Sequence, residues 1–220
     1  MNIFHNKESK AQFCLSLYIA VILVMNLLGS KTFSILNFTF SAPIIIFPII
    51  SVIQDSITEV FGQQKSKQFL YFAIICSFLT SIILALTSII LPVNNPNDGS
   101  SFAIVFEQYV RILIGFLISF SISYLIDISI FEKLRKLTGG KYLLFRTNIS
   151  NLISIPIDAF LFTFLAFYAI SPQYSLEIVF GIALSCVGFK LLWSFVSSPF
   201  VNLLVYWLRR EYITVIQLSK

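Results

Sequence analysis

The chain reads as an all-α, polytopic integral membrane protein. Six transmembrane helices are expected in a single membrane domain covering residues 1–220, with both termini cytoplasmic. Three observations predict this. Of the 220 residues, 57% are hydrophobic and only 11% charged, with a mean hydropathy of +0.89; soluble domains carry about 25% charged residues. Six apolar stretches each approach the roughly 20 residues that a spanning helix needs. The basic residues fall on alternate connections between those stretches.

The first span, at about 12–30, follows Lys7 and Lys10 and is apolar from Phe13 to Leu28. It exceeds the roughly 7–15 residues of a signal-peptide core and no small-x-small cleavage site follows, so it is expected to remain as a membrane helix. The second span, at about 41–61, holds Pro43 and Pro48; the third and fourth lie at about 69–91 and 108–131. Between those two, PVNNPNDGSS at 92–101 has the Pro, Asn and Gly content of an exposed loop. The fifth span, at about 148–170, holds Pro156, and the sixth, at about 178–207, holds Pro199. A proline inside a helix removes a backbone hydrogen bond and kinks the axis. In a membrane the freed carbonyl must face protein or a wet cavity. Prolines are ordinary in membrane helices, but these lie beside Asp55, Asp158 and Lys190, as expected around a central cavity.

Lysine and arginine orient the bundle. Lys7 and Lys10 precede the first span, Lys65 and Lys67 follow the second, and Lys133, Arg135, Lys136, Lys141 and Arg146 lie between the fourth and fifth. Arg209, Arg210 and Lys220 end the chain, so twelve of the fifteen basic residues sit on one side of the expected membrane. The positive-inside rule makes that side cytoplasmic. The same placement accounts for the net charge of +5 without direct nucleic-acid binding. Lys31 and Arg111, near the outer ends of the first and fourth spans, are positioned to snorkel outward or to face a site.

Several chemistries are missing. There is no GxxxxGK[ST] loop for ATP hydrolysis and no GxSxG nucleophile motif. The only histidine, His5, lies in the polar amino-terminal tail, which excludes HExxH zinc chemistry and a histidine-activated nucleophile. No catalytic residues, metal or cofactor are expected, and the chain is read as a non-enzyme. Cys14, Cys76 and Cys186 lie in separate apolar segments without CxxC spacing and read as small hydrophobes.

What remains is charge inside the lipid-spanning stretches: Asp55, Asp127, Asp158 and Lys190. Each costs roughly 2.5–3.5 kcal/mol near a helix centre on insertion scales, and such groups persist when they face a polar cavity or a partner. Asp55 and Glu59 share one helix face at i,i+4. Glu59 lies near the cytoplasmic end of its span, where an interfacial and a site role are equally open. Asp127 is close enough to the cationic 132–147 loop to be stabilised by it. Arg146, Asn148, Ser150 and Asp158 follow along the fifth span. Lys190 lies about 18 Å into the sixth, too deep to snorkel easily. Asp158 and Lys190 are placed to form an ion pair that a substrate or a proton disrupts.

Taken in order, these residues resemble the queuosine-precursor transporter family, grouped with vitamin-uptake-type six-helix membrane transporters. Phe47, Pro48, Asp55, Thr58, Glu59, Phe61 and Gly62 are similar to its FP…D..TE.(Y/F)G signature, with Lys65 and Lys67 just after it. Arg111, Asp127, Phe131 and Arg135 resemble the fourth-helix pattern, and Arg146, Asn148, Ser150 and Asp158 an R.N.S…..QxxD pattern. Phe189, Lys190 and Pro199 resemble the last helix. The chain departs at Ile155, where many members carry glutamine, and at Asn151, where threonine is usual.

The resemblance implies import of 7-deazaguanine bases such as preQ0, preQ1 or queuine for tRNA modification, across a bacterial inner membrane. A guanine-type edge offers two parallel donors that match the two oxygens of one carboxylate. Asp158 or Asp55 is expected to supply it, with Asn148 and Ser150 toward the carbonyl edge, Lys190 in the same site, and phenylalanines against the ring. Glu59, Arg111, Asp127 and Arg146 are further polar candidates. Three readings follow: a self-sufficient secondary transporter or facilitator, a binding component served by a separate ATPase, and a structural or assembly protein whose charges only pair helices. A homo-oligomer is compatible with each. The topology has its own test. Reporter fusions near Gln64, Leu137 and Lys220 are expected in the cytoplasm, and those near Asn97 and Gln173 outside. Labelling of the 132–147 loop by an external reagent in intact cells would refute the arrangement.

Overall fold

The computed structural model of the protein describes residues 6–29, 31–35, 38–90, 96–169 and 174–210, with the backbone alone for 88–90 and 96–108. The positions near Gln173 and Lys220 and His5 lie outside the described residues. Helix α1 runs Lys7–Leu28. Its buried stripe, Ala11, Cys14, Tyr18, Ile22 and Met25, advances by three or four residues, the spacing of one helical face. Phe13, Leu17, Val24 and Leu27 are exposed on the remainder, so the helix is apolar all round, as a lipid-embedded helix must be.

The next segment departs from an all-α reading. Strands β1 (Thr32–Ile35) and β2 (Phe38–Ser41) form an antiparallel pair with Phe33 opposite Phe40. Their Phe, Thr and Ile content suits a pleated surface. The Phe33 and Phe40 rings lie 5.6 Å apart, and Phe40 meets Phe189 at 5.7 Å.

The second expected span is likewise not one helix. A 3-10 turn at Ala42–Ile45 precedes α2, Phe47–Phe61, whose 15 residues reach only about 22 Å. Pro43 falls in the 3-10 turn, and Pro48 in the first turn of α2, where a missing N–H breaks no helical bond. The prolines start the elements here and do not kink a continuous one. Ten of the α2 residues are buried, among them Ser51, Gln54, Asp55, Ser56, Thr58 and Glu59. The short helix is therefore encased in protein, and its polar face is kept from lipid.

Helix α3 (Gln63–Ile90) is followed by α4 (Pro96–Leu137). Residues 96–101, expected as loop, are helical: proline's fixed φ suits a first helical position. Residues 91–95 lie outside the described residues. Helix α5 (Leu143–Phe164) continues as a π-helical segment, Leu165–Ala169, and α6 spans Leu176–Arg209. Pro156 and Pro199 lie inside α5 and α6. At Gly115 a Cβ would come within 3.2 Å of the Ala166 backbone, so glycine lets α4 close on the π segment.

Five of the described helices are long and apolar enough to cross a membrane, with α2 excepted by its length. Their outward faces are apolar: Phe72, Phe78 and Ile83 on α3, and Leu192, Phe195 and Leu203 on α6 are exposed. The core joins Tyr18, Ile22, Ile50, Ile57, Phe69 and Tyr124 around α2. The basic connections gather at one end of the bundle. There Lys7 lies 5.3 Å from the Phe61 ring, Lys65 is 3.5 Å from Glu8, and Lys10 donates to the Trp207 carbonyl at 2.8 Å. The β-hairpin lies at the other end, where Ser41 donates to the Gly29 carbonyl. Lys31 is exposed there, whereas Arg111 is buried within the protein.

Gly62 alone separates α2 from α3, at φ 84° and ψ 174°, a region that only glycine enters freely. Gly62→Ala is expected to cost about 1–3 kcal/mol, read as a lowered unfolding midpoint in detergent. Gly181→Ala, with open space at its Cβ and ordinary φ, is the control expected to leave the midpoint in place or raise it. Equal behaviour of the two variants would refute the assignment.

Candidate solute site

Helices α4, α5 and α6 and the start of α2 converge on one charged centre. Lys190 of α6 donates to Asp158 Oδ2 of α5 at 2.7 Å, and Ser123 of α4 approaches Asp158 Oδ1 at 3.4 Å. The Lys190 ammonium also lies 4.4 Å from the Phe47 ring centre. Both side chains are about nine-tenths buried, at 11% and 13% exposure. A pair so placed is held by Coulomb attraction and by the aromatic face.

Two cavities meet at this centre. The one toward the hairpin is about 40 Å³, lined by Asn26, Ser41, Phe47, Phe120, Asp158, Thr163 and Lys190 with apolar neighbours. The one toward the basic end is about 30 Å³, lined by Gln54, Asp127, Asn151, Ser154, Ile155 and Asp158, and again by Phe47 and Phe120. Phe47, Phe120 and Asp158 therefore form a shared wall. Each space suffices for a few waters, and both are far below the roughly 300 Å³ of an open small-molecule site. The structure is thus closed about its centre.

A second polar group sits below the wall. Asp127 accepts from Gln54 Nε2 at 3.0 Å and from Ser154 at 3.1 Å, with Ser150 also acting on it. It draws these partners from α2 and α5; the cationic 132–147 stretch expected to stabilise it forms the end of α4, a turn at 138–142 and the start of α5, and its buried Arg146 is engaged with Glu59. Asp55, 2% exposed, is near Asp127 and Asn151, and its Oδ2 has no hydrogen-bond partner. It lines neither of the two cavities.

At the basic end, Glu59 is clamped between Arg146 and Arg209, each at 2.9 Å. Arg146 is fully buried, donates also to the Lys141 and Gly140 carbonyls, and stacks 4.9 Å from the Phe131 ring. This cluster ties α2, α5, α6 and the 138–142 turn together and lies apart from both cavities. Asn148 accepts from Ser198 at 3.1 Å, within the α5–α6 seam, and Ser150 packs toward Asp127. Neither lines the two cavities at the centre.

The structure adds residues that sequence reasoning missed. Gln54, Asn151, Ser154 and Ser123 all join the interior network. Part of the signal was available: Ser154 and Ser123 each lie four residues before an interior aspartate, Asp158 and Asp127, and Asn151 lies seven before Asp158, on the same helical face. Asn26, 1% exposed, lines the hairpin-side cavity, and both polar atoms of its amide are without a hydrogen-bond partner among the described residues. Nothing in its local sequence marks it. Ile155 gives the basic-side cavity an apolar wall.

A membrane-embedded helical bundle with a charged, aromatic-flanked wall between two interior cavities has the design of a solute transporter. A family model described as "Putative vitamin uptake transporter" matches residues 41–204, and the chain belongs to that family. No curated protein and no solved structure gives a match. The protein is an integral membrane protein of this transporter family.

Breaking a buried ion pair from one side costs about 3–5 kcal/mol, because the other charge is left unmatched. Asp158→Ala and Lys190→Ala are each expected to lower the unfolding midpoint and abolish uptake. The double variant is expected to recover the midpoint and not the uptake. Recovery of uptake in the double variant would make the pair purely structural.

Proposed function

We propose that the protein imports 7-deazaguanine bases, the precursors of queuosine, as a secondary transporter or facilitator, with both termini in the cytoplasm of a bacterial inner membrane. The family membership supports solute uptake, and the residue pattern beginning at Phe47-Pro48 supports the substrate class. One observation carries the mechanism: Asp158 and Lys190 sit side by side at 2.7 Å where the two cavities meet.

The edge of a guanine-type base presents an exocyclic NH₂, a ring N–H and a carbonyl oxygen in a row. The Asp158 carboxylate accepts from the first two, and the Lys190 ammonium donates to the third. The ion pair is thus a ready-made complement to the edge, its two members occupying one another until a base arrives. Phe47 and Phe120, which border both cavities, offer flat faces to the ring. The amide of Asn26 and the hydroxyl of Ser41 provide polar partners at the hairpin side. Insertion of the base separates Asp158 from Lys190 and opens the wall, so binding and gating are one event.

The test is uptake of preQ0, preQ1 and queuine by cells unable to make queuosine, with queuosine in tRNA as readout. At least one base is expected to restore it. Asp158→Asn places an NH₂ donor against a donor of the base, an unmatched group worth about 1–3 kcal/mol. Binding to purified protein should weaken roughly tenfold to more than a hundredfold. Failure of all three bases at normal protein level would overturn the substrate class. Unchanged affinity in Asp158→Asn would remove this carboxylate from recognition. Uptake that falls with ATP but survives loss of the proton gradient would favour a separate ATPase.

A further inference from the structure

Among the described residues, two buried carboxylates make no salt bridge. Asp55 and Asp127 are 2% and 3% exposed and close enough to act on one another. The buried cations nearest the site are engaged elsewhere: Lys190 with Asp158, and Arg146, together with the half-exposed Arg209, with Glu59. Two like charges together inside a membrane protein are costly without a cation.

The geometry points to Asp55 as the carrier of a transported proton, cycling between carboxylate and neutral acid as the base crosses. The assignment rests on the import reading above and deepens it by naming the coupling ion and its site. The two aspartates differ in their partners. Both oxygens of Asp127 accept hydrogen bonds, from Gln54 and Ser154, so each already holds a donor. Asp55 has a bare Oδ2 and the neutral amide of Asn151 beside it. A proton on Asp55 removes one of the two charges.

A metal cation fits less well, because it needs a shell of acceptor oxygens and Asp127 is ringed by donors. Among the described residues no group of three or more His, Cys, Asp or Glu side chains is placed to hold a metal. The other titratable groups around the pair are accounted for. Tyr124 of α4 acts on both aspartates, and Tyr18 of α1 faces Asp127 and Tyr124. Helix α3 presents only the hydroxyl of Ser66, bonded to Thr58 and Tyr124. Helix α5 presents Asn151, Ser150 and Ser154, and α6 reaches the pair through Ser194, which Asn151 contacts at 2.9 Å.

Coupling to the solute follows from the shared cavity. Gln54, Asp127, Asn151 and Ser154 line the space that also contains Asp158. Moving Asp158 away from Lys190 therefore changes the field and the packing around the neighbours of Asp55.

The experiment uses the full chain in proteoliposomes with the base that restores queuosine in cells. An imposed gradient of one pH unit is expected to drive accumulation up to about tenfold for one proton per base. Asp55→Asn should retain base exchange at equilibrium, which also shows that it folds, and lose accumulation entirely. Accumulation that persists in Asp55→Asn, or that follows a sodium gradient in place of the pH gradient, overturns the inference. Absence of exchange by the wild-type protein overturns the substrate reading instead. A second measurement needs no substrate and no variant. Dicyclohexylcarbodiimide, which modifies protonated carboxyls in apolar surroundings, is expected to label wild-type Asp55 by peptide mapping, with labelling lost at alkaline pH. Absence of that adduct at neutral pH overturns proton carriage by Asp55 whatever the solute.

Discussion

The polar face of α2 must be kept from lipid, and the rest of the structure is arranged around that requirement. Ser51, Gln54, Asp55, Ser56, Thr58 and Glu59 are all buried on a helix of 15 residues. A membrane interior supplies no water to satisfy them, so each neighbour contributes a partner. Asp127 of α4 takes Gln54, the carbonyl of Val201 on α6 takes Ser56, and Ser66 of α3 takes Thr58. Arg146 and Arg209 close on Glu59. Among the described residues, Asp55 Oδ2 is the one fully shielded side-chain oxygen of α2 left without a hydrogen-bond partner.

The two ion clusters have different work. The Glu59 cluster is bidentate in effect, with one carboxylate shared by two guanidiniums, and it fixes the ends of α2, α5 and α6 together. The Asp158–Lys190 pair lies between cavities and has Ser123 and Phe47 as its remaining neighbours. Replacing a buried ion pair with apolar side chains is often neutral or stabilising. A pair at the centre of a membrane bundle is therefore weak evidence of a stabilising role, which leaves room for the recognition proposed above. The broken start of α2 has a similar meaning: the 3-10 turn and Pro48 bring Phe47 to the wall at the point where the backbone is not a continuous helix. Irregular backbone at this depth is tolerated where it borders a cavity.

The sequence by itself determined the class of molecule. Apolar length, alternate basic connections and the scarcity of charge require a helical membrane protein, because lipid tolerates no unsatisfied backbone. Asp55, Asp127, Asp158 and Lys190 were legible as interior groups for the same reason: charge in an apolar run is costly and needs a partner. The Asp158–Lys190 pair was legible too, from the depth of both residues on neighbouring spans, and the structure has it. Tertiary structure decided the other partners: spacing along one helix cannot reveal that Arg146 and Arg209 share Glu59, or that Asn148 turns into the α5–α6 seam. Nor does hydropathy distinguish a continuous second span from a 3-10 turn followed by a short helix, since it does not register a break in the backbone. Those outcomes depend on where prolines withdraw backbone donors and on which helices approach closely enough to replace them.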